Sequence, residues 1–125
     1  MSDRKLTQSR LVIHPKAIAA LGEEVCFVAL EVARDLRSGA IPPDEYDQGS
    51  FDKHNSKCGA ACCIAGHIAL RMMMHVYTLL NRTKFWDFTS PASRLFAGSR
   101  PSDPLLAADA IERAILQGSD NPWMA

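Results

Sequence analysis

From Ala60 to Leu80 the chain is apolar almost without pause, interrupted only by Gly66, His67, Arg71, His75 and Thr78. A helix of that length can cross a bilayer, but two imidazoles and a guanidinium are costly in hydrocarbon. The run therefore predicts a buried helix over 59–80, placed at the centre of a water-exposed protein. On a helical wheel its polar residues His67, Arg71, His75 and Thr78 fall on one stripe. Gly59, Cys62, Gly66 and Ala69 form a thin flank on the opposite side.

A second long helix is expected from Pro15 to Ser38, stopped by Gly39. Ile18, Leu21, Val25, Val28, Ala29, Val32 and Leu36 recur at helical spacing and form its core face. Glu23, Glu24, Glu31, Arg34 and Asp35 gather opposite, with Phe27 as an aromatic among charges. Ala19, Gly22, Cys26 and Ala33 make a small-residue flank, which is expected to pack closely on that of the 59–80 helix. Met72, Met73 and Met74 read as core filler, because methionine fits irregular gaps.

Ser90-Pro91 and Ser102-Asp103-Pro104 each place a capping residue before a first-turn proline. They predict a short helix ending at Gly98 and a last helix from Pro104 to Gln117, buried through Ala107, Ala108, Ile111, Ala114 and Ile115. Leu11-Val12-Ile13 is a short β-prone piece, and no hairpin signal follows it. The fold class is all-α, a bundle of about four helices around the 59–80 helix. A chain of 125 residues makes one domain, with 1–10 as a flexible arm and 119–125 as a loose tail unless Trp123 docks.

The formal net charge is zero, which leaves no basic surplus for a polyanion, so nucleic acid is disfavoured as a partner. Asp44, Glu45, Asp47 and Asp52 nevertheless precede a stretch in which Lys53, Lys57, Arg71, Arg82, Lys84 and Arg94 face only Asp87. Basic and aromatic residues alternate from Arg82 to Phe88, where packing is a simpler account than base stacking. Met1 to Arg10 lacks the apolar core of a secretory signal, so a cytoplasmic location with reduced thiols is expected, and no membrane anchor.

Chemistry concentrates at Cys58-Gly59-Ala60-Ala61-Cys62-Cys63-Ile64-Ala65-Gly66-His67. A thiol at a helix start has its thiolate stabilised by exposed N–H groups. A cysteine nucleophile would need His54 or His67 as base, with Asp52 or Asp87 orienting it, but no papain-like or caspase-like flank is present. A thiol pair of Cys58 with Cys62 or Cys63 lacks the Cys-x-x-Cys spacing of redox sites. His54, Cys58, Cys63 and His67 supply four ligands of the kinds zinc takes, without the short knuckle of zinc fingers. Against all of these stands packing: cysteine is a small, readily buried residue.

The Phe51-Asp52 lead-in, Cys58-Gly59 and Cys63-Ile64-Ala65-Gly66-His67 resemble a group of small uncharacterised bacterial and phage-borne proteins. Their pattern runs Cys-Gly-Thr-x-x-Cys-Ile-Ala-Gly followed by His or Trp. The likeness extends over about Val28 to Leu116 and implies no activity. Ala60 stands where the group has threonine, and Cys62 is an extra thiol. The resemblance thus favours Cys58 and Cys63 over Cys62 as site residues.

The candidate cluster is therefore Cys58, Cys63, His67, Arg71 and His75, with no catalytic residue assigned and no cofactor. The expected function is a small binding module that contacts a protein partner or itself, a homodimer through Phe27 or Phe85-Trp86 included. The alternative is a zinc-binding or thiol-reactive protein using Cys58, Cys63 and His67.

Overall fold

The computed structural model describes residues 12–42, 63–87, 90–96 and 103–123. Among them are six α-helices, one 3-10 turn and no strand: α1 (Pro15–Leu21), α2 (Glu23–Ser38), α3 (Ile64–Arg71), α4 (Val76–Arg82), the turn Lys84–Trp86, α5 (Pro91–Phe96) and α6 (Pro104–Gln117). The all-α class is as expected. Val12 and Ile13 belong to no strand; Ile13 is buried in the core and Val12 is exposed.

The expected helix over 15–38 is two helices. Gly22 interrupts it at φ 89°, ψ 150°, a conformation in which an L side chain is strained. Its position is thus a joint and not a packing contact, and the phase of the buried face resets there. That is why Ile18 and Ala19, assigned to buried faces, are exposed while Ala17, Ala20 and Leu21 are buried. Downstream the assignment holds: Val25, Cys26, Ala29, Val32, Ala33 and Leu36 are buried, and α2 ends at Gly39 in the left-handed region.

The expected helix over 59–80 is also interrupted. Helix α3 begins at Ile64, capped by Cys63, and stops at Arg71. Met72–Met74 form a turn, and α4 begins at Val76 with His75 as its cap. Three β-branched or aromatic residues around the joint, His75, Val76 and Tyr77, offset little of the cost of leaving the helix; tertiary contacts decide the break. Met72 and Met74 pack against the core as gap filler, whereas Met73 is 93% exposed at φ 56°. The filler assignment therefore fails for Met73. The central-helix architecture gives way to short helices.

Helices α2 and α6 make the most extensive helix pair, with α3 on α2 and α1 bridging to α5 and α6. Helix α6 runs over the predicted residues, Pro104–Gln117, with Asp103 accepting the N–H groups of Leu105 and Leu106 and Gly118 closing its far end. Ala107, Ala108, Ile111, Ala114 and Ile115 are all fully buried. Alanine at three of these five positions lets α2 approach closely, so burial comes from fit as well as side-chain bulk.

Residues 119–123 are held in place, because Trp123 does dock. Its indole N–H donates to the Leu95 carbonyl at 3.0 Å, Arg113 donates to the Pro122 carbonyl, and Arg94 donates to Asn121. The expected arm over 1–10 lies outside the described residues. No helix among the described residues is long and apolar enough to cross a membrane.

Candidate functional site

Four of the five candidate residues, Cys63, His67, Arg71 and His75, are described; Cys58 is not, nor are His54 and Cys62. The four are consecutive along α3 and its exit but do separate structural jobs. Cys63 has extended backbone, φ −77° and ψ −178°, and its Sγ accepts the Gly66 N–H at 3.4 Å. It is thus the N-cap of α3. Sulfur is a weak acceptor, but a cap at zero exposure favours an atom with little affinity for water.

His67 follows one turn later, its N–H donating to the Cys63 carbonyl at 3.0 Å, and is buried at 6% exposure. The wheel placed it on a polar stripe reaching water. That stripe needed a continuous helix to 80, and the helix ends at Arg71. Cys63 and His67 consequently lie inside, while Arg71 and His75 lie on the surface.

Arg71 closes α3 with a cation at its carbonyl end, where the helix dipole favours positive charge. Its guanidinium bonds Asp35 on α2 and approaches Glu31 at 3.9 Å. Asp35 also accepts from Arg34 at 3.0 Å. Burial alone would raise the Asp35 pKa, but hydrogen bonds from Arg34 and Arg71, with their charges, outweigh it and hold the carboxyl below its usual range.

His75 caps α4: its Nδ1 accepts the Tyr77 N–H at 3.2 Å, and the two rings stack with centroids 5.6 Å apart. An imidazole accepting in this way is neutral at that nitrogen. Cys26 sits fully buried on α2, where burial and then the charge of Glu23 push its thiol up to about 12. Cys26 and Cys63 are both buried and form no disulfide. Among the described residues, no group of three or more His, Cys, Asp or Glu side chains is placed to hold a metal ion.

The feature the sequence reading missed is the corner between α3 and α4. Leu70 is 52% exposed, and the Met73 N–H donates to its carbonyl at 3.2 Å, so two apolar side chains flank one tight turn. Met73 occupies the left-handed region there, which is uncommon for a residue with a β-carbon. Three successive methionines carry no signal for such a turn. No protein-family model, curated protein or solved structure matches this chain.

Proposed function

We propose that this chain is a small helical binding module without catalytic activity, whose contact surface is the Leu70–Met73 corner and whose first partner to test is a second copy of itself. One observation carries the reading: Met73 is almost wholly exposed while held at a positive φ. Backbone strain persists only where the surrounding fold imposes it, and it concentrates at functional positions. A flexible thioether offered at a corner is the kind of contact that adapts to a partner's surface. Phe27 and Trp86, both exposed, extend the apolar area elsewhere on the molecule.

Light scattering over a rising concentration series, wild type beside Leu70→Ser and Met73→Ser, tests the proposal. A mass that climbs with concentration in the wild type and less in both variants supports it. A monomer throughout, with Leu70 and Met73 methyl resonances unmoved by concentration, removes the self-association form.

A second reading is zinc held by His54, Cys58, Cys63 and His67, favoured by the burial of Cys63 and His67 in the first turn of one helix. Metal analysis of the purified protein tests it. Zinc below stoichiometric amounts, with folding unchanged in chelator, counts against it. The resemblance around Cys58-Gly59 and Cys63 to Gly66 supports either reading equally.

A further inference from the structure

Among the described residues the sulfur atoms belong to Cys26, Cys63, Met72, Met73 and Met74. Both cysteines are fully buried, and Met72 and Met74 pack against the core. Met73 stands between them with 93% of its surface open to water. One tight turn thus holds two thioethers that support the fold and one that does not. The turn itself needs nothing from the Met73 side chain. It is held by main-chain bonds, the N–H groups of Met72, Met73 and Met74 donating to the carbonyls of Ile68, Leu70 and Ala69 at 3.0, 3.2 and 3.0 Å. A change of chemistry at the Met73 sulfur therefore leaves turn and core intact. The same change at Met72 or Met74 would set a polar group against apolar neighbours.

We propose that Met73 is an oxidation site, where a hydroperoxide converts the thioether to the sulfoxide and so weakens self-association without unfolding the chain. A lone pair on sulfur attacks one peroxide oxygen, and the S–O bond forms as the O–O bond breaks. The proton passes to the departing oxygen, so hydrogen peroxide yields the sulfoxide and water. Sulfur is oxidised by two electrons and the peroxide is reduced by two.

The product is polar and chiral where the reactant was apolar and flexible, and such a change disrupts methionine contacts. Leu70, 52% exposed on the same corner, keeps its apolar surface but loses its neighbour's. The inference rests on the reading of this corner as the self-association surface. Oxidant reaches the sulfur in the free monomer, and the sulfoxide then withholds that monomer from pairing.

The test treats the full chain with dilute hydrogen peroxide, quenches at intervals, and locates the added oxygen by fragment-ion mass spectrometry. Sulfoxide at Met73 should accumulate roughly tenfold faster than at Met72 or Met74, because reactivity follows exposure. At that stage the melting temperature should be unchanged. The dissociation constant for self-association, from light scattering against concentration, should rise roughly tenfold, the loss expected when one methionine no longer buries its surface. Met73→Leu keeps an apolar contact without the sulfur, so the same treatment should leave its association unmoved. Equal rates at the three methionines, a fall in melting temperature, or unaltered association after oxidation overturns the inference while the reading of the corner stands. A peroxide response that persists in Met73→Leu does the same, by placing the effect at another sulfur. Untreated protein that stays monomeric at every concentration overturns the reading itself, and the inference with it. The wild-type rates and association decide the matter even if the variant fails to fold.

Discussion

Arg71, the last residue of α3, is bonded to Asp35 in the last turns of α2, so the place where α3 stops is fixed by an ion pair to a neighbouring helix. The pair is mostly shielded on the Asp35 side and carries Arg34 as a second donor. It anchors the corner that presents Leu70 and Met73.

A pH dependence follows from Asp35. Its carboxyl is held below the unfolded value, so the folded form binds the proton less readily than the unfolded chain does. The stabilisation is present above the usual carboxylate range and is lost as pH falls through the folded value. Acid unfolding of wild type beside Asp35→Asn should show the variant weaker at pH 7, with the difference closing below about pH 4. Curves that stay parallel down to pH 2 refute the assignment.

Met73 offers a test of strain. A residue with a β-carbon costs roughly 1–2 kcal/mol in the left-handed region, and glycine returns part of that through its freer unfolded chain. Met73→Gly should therefore raise stability by up to about 1 kcal/mol in chemical denaturation, whereas Met73→Val should lower it by about the same. Stability gained together with weaker self-association would separate the turn's function from its folding cost.

The two described thiols should be inert in the native protein. Cys26 has its pKa pushed up to about 12 by burial and Glu23, and Cys63 is enclosed as a cap. Labelling at pH 8 should modify neither until the fold opens. Because the folded Cys26 value lies above the unfolded one, its contribution to stability is full below about pH 9 and falls as pH rises towards 12. Mass spectrometry after a timed pulse reads both sites; fast native labelling of Cys26 contradicts the burial argument.

Cys63 can be tested as a cap directly. Cys63→Ser keeps an acceptor for the Gly66 N–H, whereas Cys63→Ala removes it and should cost about 1 kcal/mol more, a typical capping contribution. Equal stability in the two variants would assign the residue to packing alone.

The tail contact is tested by Trp123→Phe, which keeps most of the ring and loses the N–H donated to Leu95. A loss of about 1 kcal/mol is expected, the net value of a typical hydrogen bond. Hydrogen exchange should show the loss centred on 118–123 and α5.

Where local chemistry carried its own punctuation, the sequence was legible. Asp103-Pro104 and Gly118 bracket α6 to the residue, and the spacing of Val25, Ala29, Val32 and Leu36 marks the buried face of α2. The candidate site was less so. Cys63, His67, Arg71 and His75 read as parts of one helix, and the stripe joining three of them dissolved once the helix broke at Met72. No proline or glycine marks that break. His75 is not among the favoured capping residues, so its role as a cap is invisible in the letters.

What the sequence determined alone is the helical class, the ends set by proline, aspartate and glycine, and the apolar faces spaced at the helical period. These depend on backbone dihedrals and on neighbours within one turn, which any short stretch contains. The tertiary structure decided the joints at Gly22 and Met73, the docking of Trp123 and the Arg71–Asp35 pair. Each of these joins groups far apart in the chain or trades local helix propensity for burial elsewhere, and that balance exists only after the helices have packed.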